Sequence, residues 1–249
     1  MRAFWWFKDD SIAGMGRPGF NSIHWYDLPF DEAVVMGWIG QHSSGSISLS
    51  SFRDHLRSYA PKIFKFYKLD SESGTQAIRL LTDSSAMLNV VDRFAKRSRS
   101  LKLFDISNDH LHFETSEEQL DREATFLKNL GIQRIVSLTE HHHNKESLQN
   151  HFDLTHIGIE DLGAPQVDQA QKLAELIIEA RARSEKLAVH CLAGIGRTST
   201  MLIAAHLLMG EGFEALKTLI AKQNPSYGFS GPQGEFLNKL SQNTVAIRG

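Results

Sequence analysis

The sequence predicts an α/β fold: a central, mostly parallel sheet flanked by helices, with an α/β insertion in the N-terminal half. Three observations predict it. "KLAVH" (Lys186–His190) is a short apolar run, the pattern of a parallel strand buried on both faces. "TSTMLIAAHLLM" (Thr198–Met209) is apolar nearly all round, as a helix at the centre of a core must be. From Thr115 onward, strand-like and helical segments alternate, the order of a sheet with helices on both faces.

The elements follow in order. "AFWWF", "KDD" and "SIAGMG" read as two short strands around a polar turn, and Gly16, Pro18 and Gly19 then break the pattern. Ser43–Ser51 is a serine-rich stretch, read as a loop that opens a helix at "FRDHLRSYA". Ile63–Leu69 and Ala77–Leu81 look like strands. Asp83–Arg97 has capping residues and helical spacing at Met87, Val90, Val91 and Phe94. "LKLF" and "HLHF" are two further strand candidates. Thr115 and Ser116 precede Glu118 and Gln119 at capping-box spacing, and the helix they open stops at Gly131. Arg134–Leu138 and Leu154–Ile159 read as strands. "QVDQAQKLAELIIEARARSE" is a long amphipathic helix, and "EALKTLIAKQ" and "PQGEFLNKLSQN" are two C-terminal helices. The expected division is 1–18 as N-terminal strands of the main domain, 19–113 as an α/β insertion, and 114–249 as the main core.

Composition narrows the function. The chain has 249 residues, 41% of them hydrophobic, enough for a substantial core. Its 27 basic and 29 acidic residues give a formal net charge of −2, so no nucleic-acid partner is expected. A single cysteine cannot form an internal disulfide. No apolar run reaches membrane-spanning length, and the first residues are too short for a signal-peptide core. A cytoplasmic protein without stable membrane insertion is the expectation.

That single cysteine sits in "VHCLAGIGRTSTM" (Val189–Met201), read as strand, glycine loop and helix. Backbone N–H groups at a helix N-terminus lack partners, and the helix dipole favours negative charge there. Gly194 and Gly196 let the turn bring such groups close to an oxyanion. Arg197 offers a planar two-pronged donor suited to phosphate. Cys191, at the mouth of this cradle, is in an environment that stabilises a thiolate. The arrangement suits phosphoryl transfer through a cysteinyl-phosphate intermediate. Protonating the leaving oxygen calls for a carboxylic acid on a neighbouring loop. Asp161 in "IEDLGAP" is the candidate, with adjacent Glu160 as the alternative. The hydroxyl of Thr198 is placed to hydrogen-bond the thiolate.

"HCLAGIGRT" is similar to the His-Cys-five residues-Arg-Ser/Thr signature of cysteine-based protein tyrosine phosphatases. With "FWWFKDDSIAGMGRP", "LKNLGIQRIVSLTE", "IGIEDLGAPQVDQAQKLAELI" and "GPQGEFL", the chain resembles the small atypical dual-specificity phosphatases over roughly 1–18 and 114–249. The resemblance implies a nucleophile at Cys191, a phosphate clamp at Arg197 and a general acid at Asp161. It implies backbone donors from Leu192, Ala193, Gly194, Ile195 and Gly196, thiolate assistance from Thr198, and a loop-orienting role for His190. Gln233 corresponds to a water-positioning glutamine in some relatives. No metal or cofactor is implied, and the substrate would be a phosphorylated protein or peptide. The insertion has no counterpart in the small family members and is a candidate partner surface.

Each of these features also has a blander reading. A lone cysteine on a buried strand is usually a core residue, but its flanks here argue otherwise. Asp before a helix is often only a turn residue. "EHHHNK" (Glu140–Lys145) reads as a solvated loop, because adjacent histidines do not share a face at ligand spacing. A phosphoinositide or inositol-phosphate phosphatase is the alternative enzyme, ranked lower because Leu192, Ala193 and Ile195 are neutral. Sulfur transfer and arsenate reduction fit the loop length and the cysteine count less well. A catalytically silent phosphate-binding adaptor is the alternative outside enzymes.

Overall fold

The computed structural model describes residues 4–19, 29–39, 45–48, 50–52, 54, 69–70, 72, 74–75, 78, 83–97, 101–107, 110–115 and 117–246. Two compact units are present: 1–18 with 121–249, and 19–120.

The first unit is built on a five-stranded sheet in the order β1-β2-β8-β6-β7. Its strands are β1 (Trp5–Lys8), β2 (Ile12–Met15), β6 (Ile132–Ser137), β7 (Asp153–His156) and β8 (Lys186–His190). Only β1 and β2 run antiparallel; β2, β8, β6 and β7 are parallel. The hairpin turn uses Asp9 and Asp10 at φ 54° and 44°, the left-handed pair that matches strand twist in a two-residue turn. Its closing bond runs from the Ser11 N–H to Lys8 O at 3.3 Å.

Burial follows from the parallel sheet. Ile135 and Val136 are both buried, as are Ala188 and Val189, so each of these strands is covered on both faces. Val136, Leu138, Leu187 and Val189 join the main core with helix α6 (Gly196–Leu208). Every residue of α6 from Arg197 to Leu207 is buried, as its all-round apolar sequence requires. It packs against α5 (Val167–Ala182), α7 (Phe213–Gln223) and α8 (Gly231–Ala246). Helix α3 (Glu117–Asn129) buries Ala124 and Leu127 and ends before Gly131, whose φ of 81° is open to glycine and costly for other residues. A short turn of helix, α4 (Lys145–Leu148), follows the His141–His143 run.

The second unit contains α1 (Phe30–Ile39), α2 (Ser84–Arg97) and an antiparallel sheet in the order β3-β5-β4. Its strands are β3 (Gly45–Ser48), β4 (Leu101–Ser107) and β5 (His110–Thr115). The serine-rich stretch read as a loop therefore contains a strand. Antiparallel pairing with β5 supplies backbone bonds that need no β-branched side chain. Ile78 is helical rather than extended. The rest of Ala77–Leu81, the segment 63–68 and the Ser116 cap lie outside the described residues. Among the described residues no helix is long and apolar enough to cross a membrane.

Gly14 faces Trp5 across the β1–β2 pair, and a Cβ there would lie 2.2 Å from the Trp5 ring. Trp5 is buried and cannot swing out freely. Gly14→Ala is therefore expected to lower stability by about 1–3 kcal/mol through overpacking, measured as a fall in the urea unfolding midpoint.

Candidate active site

The site forms where β8 ends. Cys191 is buried directly after the strand, and the chain turns through Leu192–Ile195 into α6. This turn is shaped by where its carbonyls go. Leu192 O accepts the Arg17 N–H at 3.0 Å, and Gly194 O accepts the Asn224 side-chain amide at 3.2 Å. Ile195 O accepts the Ser199 N–H at 3.4 Å, and Gly196 O accepts the Thr200 hydroxyl at 2.8 Å. These four carbonyls are thus tied to surrounding protein. The N–H groups of Leu192, Ala193, Gly194, Ile195 and Gly196 donate to no acceptor among the described residues. A run of donors leading into a helix N-terminus is an anion-binding arrangement.

Two glycines make the turn possible. Gly194 has φ 74°, and a Cβ on it would stand 2.6 Å from the Met15 carbonyl carbon. The end of β2 is therefore the wall against which the loop closes. A Cβ at Gly196 would meet Gln233 Oε1 at 3.0 Å.

Arg197 is 2% exposed. Its Nη1 donates to Ile159 O at 2.9 Å, and its Nη2 pairs with Asp161 Oδ1 at 2.9 Å. Asp161 is buried, whereas Glu160 is exposed. The structure thus brings Arg197 and Asp161 together and leaves the alternative carboxylate outward. The Asp161 backbone N–H donates to Glu140 Oε1 at 2.8 Å. The next residues form a turn with Leu162 at φ 58°, closed by Gly163 N–H to Glu160 O at 2.9 Å. The start of α8 holds this turn: the Ser230 hydroxyl donates to Leu162 O at 2.7 Å, and Gln233 Nε2 donates to Gly163 O at 2.9 Å. Gln233 Oε1 also accepts the Ser230 N–H at 3.0 Å, so the side chain is engaged in anchoring that loop.

Thr198 is fully buried, and its hydroxyl has no hydrogen-bond partner among the described residues. The bond to Cys191 expected from the sequence is not made here. Sequence reasoning missed Asn224, Glu140, Ser230 and Arg17, which touch the site only through contacts between distant segments. Among the described residues no cluster of three or more His, Cys, Asp or Glu side chains is arranged to hold a metal ion. The His141–His143 run contributes a stacked pair, His142 on His156 at 5.2 Å, and the His156 ring nitrogen Nε2 donates to Thr139 O at 2.6 Å.

His190 lies beneath the loop. Its Nδ1 donates to Cys191 O at 3.2 Å, which fixes the tautomer. Burial, with smaller contributions from the charges of Arg17, His142 and Arg197, pushes its pKa from 6.5 down to about 3. The folded protein therefore holds this imidazole neutral, while the unfolded chain takes up a proton below pH 6.5. The unfolded state binds more protons in that window, so stability falls as pH drops from 6.5 toward 3. His190→Gln is expected to flatten this part of the acid limb, seen in urea midpoints measured across the same pH range.

Comparisons with known proteins find similarities over part of the chain. A family model described as polymorphic toxin system, DSP-PTPase phosphatase, matches residues 114–211. Tyrosine-protein phosphatase CDC14 of Saccharomyces cerevisiae is 38% identical over 97 residues, 36% of this chain and 16% of CDC14. The chain thus spans only a small part of that relative's length. Among solved structures, Tk-PTP in its active form is 23% identical, with TM-score 0.45, over 51% of this chain and 86% of that one. PTPMT1 in complex with PI(5)P is 17% identical, with TM-score 0.45, over 52% of this chain and 88% of that one. The segment 114–211, which carries Cys191 and Arg197, is thus similar to the DSP-PTPase phosphatases that this family model describes.

Proposed function

We propose that the chain is a protein phosphatase that hydrolyses phosphotyrosine, with phosphoserine and phosphothreonine as further substrates, through a cysteinyl-phosphate intermediate. The observation that carries this is the run of N–H groups, without acceptors among the described residues, between a buried cysteine and a buried arginine. A phosphate monoester seated there would accept hydrogen bonds from the loop and from Arg197. The Cys191 thiolate attacks phosphorus, and the P–O bond to the substrate breaks. Asp161 supplies the proton to the departing oxygen. Water then attacks the phosphocysteine, Asp161 takes its proton, and the thiolate leaves with inorganic phosphate released.

The Arg197–Asp161 pair gives this cycle an order. In the free protein the carboxylate occupies a guanidinium prong that the phosphate needs. Substrate binding would replace it and free Asp161 to turn toward the leaving oxygen. His190 would hold the Cys191 carbonyl, and Gln233 would anchor the acid loop. A reducing, cytoplasmic setting suits a nucleophilic thiol without a disulfide partner. The 19–113 insertion is offered, within the same proposal, as a surface for a partner.

The test is turnover of phosphotyrosine and phosphothreonine peptides and of phosphoinositides, with Cys191→Ser as control. The expected outcome is phosphopeptide hydrolysis that falls about a thousandfold or more in Cys191→Ser while peptide binding persists. Activity confined to the lipids would establish the alternative enzyme; binding without any turnover would establish the adaptor. Asp161→Asn is expected to slow phosphotyrosine peptide by about a hundredfold or more, and an activated nitrophenyl phosphate far less. The same variant should bind tungstate more tightly, since Arg197 no longer has to exchange a carboxylate. Equal loss on both substrates would exclude Asp161 as the acid.

A further inference from the structure

Arg17 has no part in the reading above, yet its side chain is 1% exposed. Guanidinium groups are rarely buried so completely. It follows β2, at the wall of the phosphate loop. Three contacts fix that position: Met15 is paired with His190, the Arg17 N–H donates to Leu192 O at 3.0 Å, and Gly194 approaches the Met15 backbone. Its charge reaches the site, being one of those that hold His190 neutral.

The charges around the loop explain why a further cation matters. A phosphate ester and a thiolate together bring several negative charges into a buried space. Arg197 is shared with Asp161, and Glu140 adds a carboxylate on the far side of that residue. His190 is neutral, His142 is pushed the same way by burial, and the loop side chains Leu192, Ala193 and Ile195 carry no charge. Arg17 is therefore the buried cation on the β2 side of the loop. Burial lowers its pKa to about 9, which leaves it charged at neutral pH.

Resting on the phosphatase reading, we propose that Arg17 is a positioning residue of the phosphate loop: a fixed, buried cation whose field favours the Cys191 thiolate and draws an oxyanion into the loop without touching it. A residue that only shaped the fold would change stability and leave both of those quantities alone.

The experiment uses the full chain, wild type against Arg17→Gln and Arg17→Lys. Because the chain has one cysteine, alkylation by neutral iodoacetamide reports Cys191 alone. Tungstate affinity is measured by calorimetry on the same preparations. In Arg17→Gln the midpoint of the alkylation–pH curve should move up by about one pH unit and tungstate should bind about tenfold more weakly. At about pH 6, where a lysine under the same burial keeps its proton, Arg17→Lys should bind tungstate within about twofold of wild type even if its melting temperature drops. A folded Arg17→Gln with unchanged midpoint and affinity overturns the proposal. If Arg17→Gln does not fold, Arg17→Lys at about pH 6 decides: tenfold weaker tungstate binding there, with the lysine protonated, would assign the effect to the guanidinium's shape and overturn a charge role. Wild-type protein that neither binds tungstate nor turns over substrate would overturn the phosphatase reading itself.

Discussion

The candidate site depends on one constraint: the carbonyls of Leu192, Gly194, Ile195 and Gly196 each find a donor in the protein, while the N–H groups of Leu192–Gly196 find no acceptor among the described residues. A short turn cannot do this alone, because each carbonyl needs a donor. The donors come from four places, the chain after β2, the end of α7, and two positions inside α6. The parallel sheet brings the first of these beside β8, and the burial of α6 keeps the others in register. Gly194 is the point where the constraint is tightest, since only a residue without Cβ can lie so close to the Met15 backbone.

The loop that carries Asp161 is held by a different logic. Asp161 is buried against Arg197, yet the turn that carries it is fastened from α8 by Ser230 and Gln233 and from the neighbouring loop by Glu140. These anchors bind backbone atoms, while the carboxylate holds its ion pair with Arg197 and accepts the Leu162 N–H at 3.1 Å. A side chain can therefore exchange partners while its main chain stays in place. Glu160, one residue away, lies on the exposed side of the same turn.

Much of this was legible in the sequence, and the reasons are local. The apolar run of β8, the all-round apolarity of α6, the amphipathic α5 and the hairpin turn each state their structure within a short window. Cys191, Gly194, Gly196 and Arg197 were legible because strand, loop and helix are contiguous. Asp161 was legible as an acid candidate, but its separation from Glu160 needed the burial of one and exposure of the other. β3 was hidden because glycine and serine carry little strand signal, and its pairing comes from β5. Arg17 and Asn224 were hidden for another reason: a contact between distant segments leaves no period in the chain. Thr198 points the other way, since its place after Arg197 was read correctly and its expected bond is not made.

The pairing of β2 with β8 also sets a schedule. The residues from Gly19 to Leu120 form their own compact unit between these two strands in the chain. The entropy of closing so long a connection grows only with the logarithm of its length, so the finished protein loses little stability by it. Time is another matter, because contacts between distant segments form late and slow folding. The hairpin leaves the ribosome before β8 and must wait for it before the wall behind Gly194 exists. A newly made chain thus passes through a stage in which its thiol is present and the closed loop beside it is not, and that loop is completed by the docking of a segment made long before it.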